Sequence, residues 1–139
     1  MNILVIDAQG GGIGKQVIAA IKKNFPGQPV TAVGTNSAAT SAMLKAGADC
    51  VATGENAVVV NCRKADIIVA PIGVVIADAM LGEITPAMAQ AAGQSQAKRI
   101  LLPIAHCDNI VVGTKELGMS QLVQEAVERL RTVREGCGN

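Results

Sequence analysis

Residues 3–15 read ILVIDAQGGGIGK, and this stretch decides the fold. The aliphatic run over residues 3–7 predicts a buried strand, because it is short, unbroken and rich in β-branched side chains. A glycine-rich turn follows directly. The apolar spacing of residues 13–24 then predicts a helix. Strand, glycine-rich turn and helix in this order are typical of the first unit of an α/β domain.

The alternation of strand and helix continues along the chain. We expect further strands at residues 30–34, 50–52, 66–70, 99–104 and 109–112, and further helices at residues 38–46, 57–64, 74–81, 87–92 and 120–134. Ser37 is the expected N-cap of the second helix, and Thr85 followed by Pro86 is the expected start of the fifth. The pattern predicts a three-layer αβα, Rossmann-like fold with a mostly parallel sheet of about five or six strands. Residues 1–135 form one domain in this interpretation, and residues 136–139 a flexible tail.

The composition agrees with that fold and excludes several classes of function. Half of the 139 residues are hydrophobic, yet the only aromatic side chain is Phe25. Buried parallel strands are aliphatic in this way. A net charge of +1 and the lack of aromatic side chains argue against nucleic-acid binding. The longest apolar runs fall far short of the ~20 residues of a membrane span. The chain also begins directly with a strand, so we expect a cytoplasmic protein with no membrane partner.

The four cysteines show no pair with CxxC spacing; they are Cys50, Cys62, Cys107 and Cys137. We expect reduced and mostly buried thiols. His106 and Cys107 are adjacent, and adjacent side chains usually point apart. We therefore expect no metal site.

The glycine-rich loop, residues 8–15, is the most informative candidate site. Glycine permits positive φ and close approach of the backbone. The start of the following helix adds free N–H groups and a partial positive charge, which together suit a phosphate or pyrophosphate. The expected ligand contacts in the loop are Gly10, Gly11, Gly12, Ile13, Gly14 and Lys15. The alternative is a tight turn that needs glycine for its geometry alone.

The glycine pattern leaves more than one phosphate-bearing ligand open. The spacing is close to the G-x-x-x-G-x-G of short-chain dehydrogenases, with Ala8 in place of the first glycine. No acidic residue ends the second strand to bind an adenosine ribose, and Thr35, Asn36 and Ser37 stand there instead. Those small polar groups could bind a 2′-phosphate, which favours NADP over NAD, but no Arg stands beside them. The predicted cofactor is therefore NAD or NADP. The chain has no Tyr, so the Tyr-x-x-x-Lys chemistry of short-chain dehydrogenases is excluded.

A degenerate P-loop is a further alternative. Gly14 and Lys15 match the G-K of G-x-x-x-x-G-K-[ST], but Gln9 and Gln16 replace the first glycine and the hydroxyl residue. Loss of the hydroxyl removes the usual Mg²⁺ ligand, which makes a nucleoside triphosphatase the weaker interpretation.

Ligands of such folds bind beyond the carboxyl ends of the strands, so the other loops at that edge supply further candidates. The expected cofactor contacts outside the glycine-rich loop are Thr35, Asn36, Ser37, Gly54, Glu55, Asn56, Pro71 and Gly73. His106 and Asp78 are the candidate catalytic groups, and His106 is the side chain that titrates near neutral pH without perturbation. Asp7 is expected to accept backbone N–H groups and fix the glycine-rich loop; the alternatives are a ribose contact or a metal ligand.

Five segments carry a resemblance to a known family. They are VIDAQGGGIGK (5–15), GTNSAATSAMLKAGA (34–48), ATGENA (52–57), APIGVVIADAMLGEITPAMA (70–89) and ILLPI (100–104). Together they make the chain resemble, over nearly its whole length, a group of small bacterial proteins known as a domain of unknown function. Members of that group have Gly at the position of Ala8. The resemblance implies a Rossmann-like fold and a bacterial cytoplasmic origin, and it implies no reaction or substrate.

The sequence therefore predicts a small domain that binds a nucleotide, NAD(P)-like rather than a nucleoside triphosphate. In this hypothesis the glycine-rich loop holds phosphate and the residues after the second strand hold the adenosine side. The alternative is a non-catalytic sensor or regulatory subunit for another phosphorylated or anionic metabolite, and whether the chain is an enzyme stays open. Because the 139 residues form one domain in this interpretation, we expect no separate substrate domain. We therefore expect a homo-oligomer, with a dimer favoured.

Overall fold

The computed structural model describes residues 1–104 and 108–137. Within these ranges the chain forms five strands: β1 (Ile3–Asp7), β2 (Val30–Gly34), β3 (Cys50–Thr53), β4 (Ile67–Pro71) and β5 (Lys98–Leu102). The five α-helices of the same ranges are α1 (Gly12–Asn24), α2 (Ser37–Lys45), α3 (Glu55–Lys64), α4 (Pro86–Gln94) and α5 (Met119–Cys137). A 3₁₀ turn, Ile72–Val75, follows β4 directly.

All five strands lie parallel in one sheet, in the order β3-β2-β1-β4-β5. The chain starts at the centre, moves outward to β3, and returns through α3 to place β4 on the other side of β1. This order confirms the predicted Rossmann-like α/β fold. The order in which strands are added to the sheet reverses between β1 and β4. The carboxyl ends of all five parallel strands lie at one edge of the sheet.

The aliphatic composition of β1 follows from its burial on both faces. Ile3 and Val5 face the core beneath α1, α2 and α5, whereas Leu4 and Ile6 face the core beneath α3 and α4. All four side chains are buried. A central strand covered on both faces has no polar face, which explains why its sequence reads as an unbroken apolar run.

The predicted helix at residues 74–81 is wrong. Beyond the 3₁₀ turn, φ is positive at Asp78, Met80 and Leu81, with values of 66°, 55° and 58°. Ala79 and Met80 turn into the core, while Leu81 is 99% exposed. The apolar content of this stretch therefore serves a buried turn rather than one face of a helix.

Other predicted elements need smaller corrections. Residues 109–112 form no strand, and their Ile110 and Val112 are 90% and 92% exposed. The N-cap of α2 is Asn36 rather than Ser37, because the Asn36 side chain accepts a hydrogen bond from the Ala39 amide at 2.9 Å. The predicted cap at Thr85 is confirmed, since its hydroxyl accepts from Met88 N at 3.2 Å.

Two helix ends also differ from their predicted positions. Glu55 and Asn56, expected in a loop, form the first turn of α3. At the other end of the chain α5 runs to Cys137, so residues 136 and 137 are helical, and residues 138 and 139 lie outside the described residues. None of the helices in the described part of the chain is long and apolar enough to span a membrane.

The one aromatic ring joins α1 to α5. Phe25 ends α1, and the guanidinium groups of Arg131 and Arg134 lie 4.9 and 4.5 Å from its ring centroid. These distances are typical of cation–π contacts, which attract a guanidinium to the negative face of the ring. Leucine fills a similar volume and lacks that face.

We expect Phe25→Leu to lower the free energy of unfolding by at least about 1 kcal/mol, because each cation–π contact contributes roughly 0.5–1 kcal/mol. Urea unfolding followed by far-UV circular dichroism measures this change. Arg134→Gln should cost less in the Phe25→Leu background than in the wild type. Equal costs in the two backgrounds would show that the ring and the guanidinium do not interact.

Candidate functional site

The loops that follow the first three strands meet at the carboxyl edge of the sheet. In the strand register Asp7 lies opposite Gly34, and Gly34 lies opposite Thr53. The Thr35 amide donates to the Asp7 carbonyl at 3.1 Å, and the Gly54 amide donates to the Gly34 carbonyl at 2.9 Å. The fold thus brings together three of the predicted ligand loops.

The glycines of the glycine-rich loop separate into two pairs, and the first pair serves packing. At Gly11, where φ is 72°, an added Cβ would lie 2.9 Å from both the Cα and the carbonyl oxygen of Ala39. At Gly14 it would lie 2.6 Å from the Met43 sulfur and 3.0 Å from the Asp7 Cβ. Gly11 is therefore required where the chain passes α2, and Gly14 leaves the space that the Met43 and Asp7 side chains occupy.

The second pair, Gly10 and Gly12, is free of this requirement. An added Cβ at either position meets nothing within 4 Å, and both residues are exposed. Ala8, which stands where the short-chain pattern has Gly, is buried in the core beneath α3 and α4. Its methyl group therefore leaves the exposed surface of the loop open.

Asp7 fixes the loop from beneath, as the sequence predicts. It is 3% exposed, its Oδ1 accepts from Ala8 N at 2.8 Å, and its Oδ2 accepts from Gly14 N at 2.7 Å. Burial raises the pKa of Asp7 above its ordinary value of 3.8; the backbone hydrogen bonds oppose this rise and the charge of Glu83 adds to it. The carboxyl group is thus a structural acceptor that closes the start of α1.

Two amides of the loop remain available. Gly11 N donates to the Ala8 carbonyl at 3.0 Å, and Gln9 N donates to Glu83 Oε1 at 3.0 Å. The amides of Gly10 and Gly12 have no acceptor among residues 1–104 and 108–137. The exposed start of α1 therefore presents two free N–H groups.

Glu83 is the site residue that sequence reasoning missed. Its Oε1 accepts three hydrogen bonds, from Gln9 N at 3.0 Å, Thr35 Oγ1 at 2.9 Å and Asn36 Nδ2 at 2.7 Å. Burial alone would raise the pKa of Glu83, but the three donors outweigh it and hold the pKa below its ordinary value of 4.5. The result is a half-buried, ionised carboxylate at the carboxyl ends of β1 and β2.

The turn segment, residues 76–84, holds Glu83 in this position. Asp78 N donates to the Ile84 carbonyl at 2.7 Å, and Ile84 N donates to the Ala79 carbonyl at 3.2 Å. Ala79, Met80 and Ile84 anchor the segment in the core beneath α3 and α4. Each left-handed residue other than glycine costs roughly 1–2 kcal/mol, so the segment is strained and the packing of its anchors must offset that strain.

A signal for Glu83 was present in the sequence. A carboxylate beside Gly82 in the connection after β4 is placed where ligands of such folds bind. The predicted helix at 74–81 obscured this signal. A helix that began directly after β4 would have placed residue 83 away from the carboxyl edge of the sheet.

The remaining candidates are distributed around this centre. Ser37, Gly54, Glu55 and Asn56 lie at the starts of α2 and α3, at the same edge. Lys15 is exposed and Ile13 half-buried in the first turn of α1, whereas Pro71 and Gly73 are buried. Asp78 is exposed in the turn segment, and no described contact links its side chain to Glu83 or the glycine-rich loop.

The thiols and His106 add little to the site in the described residues. Burial raises the pKa of Cys62 to about 11, and Cys50 is exposed. His106 and Cys107 lie outside the described residues, and the side chain of Cys137 is likewise not described. No group of three metal-ligating side chains occurs among the residues that the structure describes.

A family model described as "Domain of unknown function (DUF3842)" matches residues 2–135. The chain belongs to this family. The match confirms the resemblance seen in the sequence, and it covers every strand and the site at their carboxyl ends. No curated protein and no solved structure matches the chain.

The contrast between the two glycine pairs leads to a stability prediction. Gly11→Ala should lower the free energy of unfolding by at least about 2 kcal/mol, from a left-handed backbone and a clash with α2. Gly12→Ala should stay within about 1 kcal/mol of wild type, because its Cβ enters open space. Urea unfolding compares the two. Equal losses would show that Gly12 also serves the turn.

Asp7 leads to a pH prediction. Folding raises its pKa above 3.8, so its contribution to stability is full below pH 3.8 and is lost as the pH rises through the folded value. The stability advantage of wild type over Asp7→Asn should therefore shrink as the pH is raised from below 4 towards neutrality. Urea unfolding at a series of pH values measures it.

Asp49 provides the control with the opposite sign. Its Oδ2 accepts from Lys22 Nζ at 2.7 Å and Val30 N at 2.8 Å, and these bonds lower its pKa. Its contribution is therefore present above pH 3.8 and is lost as the pH falls through the lowered value. The stability advantage of wild type over Asp49→Asn should therefore grow as the pH rises. If the advantage of wild type over Asp7→Asn also grows with pH, the raised pKa of Asp7 is wrong.

Proposed function

We propose that this domain binds a nucleotide whose phosphate group lies against the glycine-rich loop, and that the ligand is of the NAD(P) type. The observation that carries the proposal is the pair of amides at Gly10 and Gly12 that have no acceptor among the described residues, with open space beside both Cα atoms. These glycines are not required by packing. A ligand that approaches the backbone closely would explain why both positions are glycine.

The chemistry of the loop suits a phosphate. Free N–H groups at the start of a helix point at the ligand, and the helix dipole favours negative charge there. Lys15 lies exposed in the same first turn of α1 and adds a positive charge near the start of the helix. The buried Asp7 lies beneath the loop, where the Ala8 and Gly14 amides separate it from the exposed side.

The small number of available amides favours a mono- or diphosphate group over a triphosphate. The carboxylates of Asp7 and Glu83 already accept hydrogen bonds from the amides of Ala8, Gln9 and Gly14. A P-loop cradles a triphosphate with a longer run of free amides and adds a Ser or Thr hydroxyl for Mg²⁺, where this chain has Gln16. The glycine-rich loop therefore fits a pyrophosphate better.

The proposal concerns binding, which an enzyme and a regulatory subunit would share at this site. The dimer expected from the aliphatic composition stays a prediction, because the structure is that of one chain.

Isothermal titration calorimetry and thermal unfolding with NAD, NADP, ATP and coenzyme A test the proposal. We expect NAD-type ligands to raise the melting temperature, with a stabilisation of about 2.7 kcal/mol at a hundredfold excess over Kd. Gly12→Asp places a carboxylate in the open space beside the free amides. It should weaken binding at least about tenfold, since a hydrogen bond to a charged group contributes roughly 1.5–3 kcal/mol.

Gly12→Ala is the matched variant without charge. It should fold close to wild type, because its Cβ meets no protein atom, and it should weaken binding less than Gly12→Asp, because it adds bulk but no charge where the ligand approaches. If no ligand of the panel binds the wild type at millimolar concentration, the proposal is wrong. Undiminished binding by Gly12→Asp would place the ligand elsewhere.

A further inference from the structure

We infer that Glu83 accepts the hydroxyl groups of the ligand's ribose, and that the site selects a ribose with free 2′- and 3′-hydroxyls over one that carries a 2′-phosphate. This inference rests on the proposed nucleotide binding and narrows its ligand to the NAD class. It also assigns a ligand contact to a residue of the turn segment, far from β2 in sequence.

The position of the Glu83 carboxylate is the first argument. In dinucleotide-binding folds an acidic side chain near the end of the second strand hydrogen-bonds the ribose 2′-hydroxyl. The sequence after β2 has no acid, but the Glu83 carboxylate lies on Thr35 and Asn36, the residues that follow that strand. The turn segment thus supplies in space the acid that is missing in sequence.

The second argument is the free oxygen of that carboxylate. Oε1 accepts all three hydrogen bonds, and Oε2 accepts none from the residues that the structure describes. An ionised carboxylate can only accept hydrogen bonds, so a ligand group that binds Oε2 must donate. A ribose hydroxyl donates, whereas a phosphate dianion does not and is repelled.

The third argument is the fixed position of the group. Three donors from two different loops hold Oε1, and the neighbouring Ile84 is fully buried. No Lys or Arg of the described ranges forms an ion pair with Glu83. A 2′-phosphate placed there would therefore meet an uncompensated negative charge that three hydrogen bonds hold in place.

The Gly12 amide and Glu83 mark two ends of one site. The Gln9 amide, which binds Glu83 Oε1 at 3.0 Å, belongs to the same loop as the free amides of Gly10 and Gly12. We therefore place the phosphate of the ligand on those amides and its ribose diol on Oε2. A nucleoside 5′-phosphate has this arrangement of groups.

Titration calorimetry of the wild type and Glu83→Gln with four ligands tests the inference. NAD and NADP differ only by the 2′-phosphate, and AMP and 2′-deoxy-AMP differ only by the 2′-hydroxyl. We expect the wild type to bind NAD at least about tenfold more tightly than NADP, and AMP more tightly than 2′-deoxy-AMP, because charge-assisted hydrogen bonds are at stake in both pairs. In Glu83→Gln the glutamine oxygen can keep the three donors while its amide nitrogen cannot accept, so both ratios should fall towards one.

Glu125→Gln, on the exposed face of α5, is the matched control for loss of one negative charge and should leave both ratios unchanged. Far-UV circular dichroism melting checks that Glu83→Gln remains folded. Equal wild-type affinities for NAD and NADP, or ratios unchanged in Glu83→Gln, would overturn the role of Glu83 and leave nucleotide binding intact. If the wild type binds none of the four ligands, the proposed function is overturned and this inference with it.

Discussion

The hydrogen bonds of the Asp7 carboxylate join the central strand of the sheet to its first helix. One oxygen accepts from Ala8 N and the other from Gly14 N, so the side chain closes the chain between β1 and α1. Gly14 can come this close because it lacks a Cβ, which would lie 3.0 Å from the Asp7 Cβ. The direction of α1, and through Gly11 the packing of α2, depend on this one buried acceptor.

The same hydrogen bonds also decide which polar groups of the site remain available to a ligand. The amides of Ala8, Gln9 and Gly14 are already bound by carboxylates, and those of Gly10 and Gly12 have no acceptor in the described part of the chain. A ligand must therefore match a short donor pair at one end and an acceptor at the other. Phosphate and hydroxyl groups on one molecule satisfy both, which is why the two proposals concern the same ligand.

Much of the fold could be predicted because local patterns carry it. The predicted bounds of β1 and β2 agree with the structure, since both strands are short aliphatic runs bounded by turn residues. The alternation of elements predicted the parallel sheet, and the N-cap at Thr85 followed from its side chain and the proline after it. The exposed apolar residues of 109–112 misled the prediction, because hydrophobicity alone does not show what covers a side chain.

The candidate site divides in the same way. The sequence by itself determined the glycine-rich loop and its place before α1, and it favoured a structural role for Asp7, because all of these lie within a few residues of one another. Only the tertiary structure decided which glycines are required by packing, since Gly11 meets Ala39 of another helix. It also decided the place of Glu83, whose bond to Thr35 spans 48 residues of sequence. A left-handed turn anchored by buried side chains makes that contact, and no periodicity of the chain encodes such a turn.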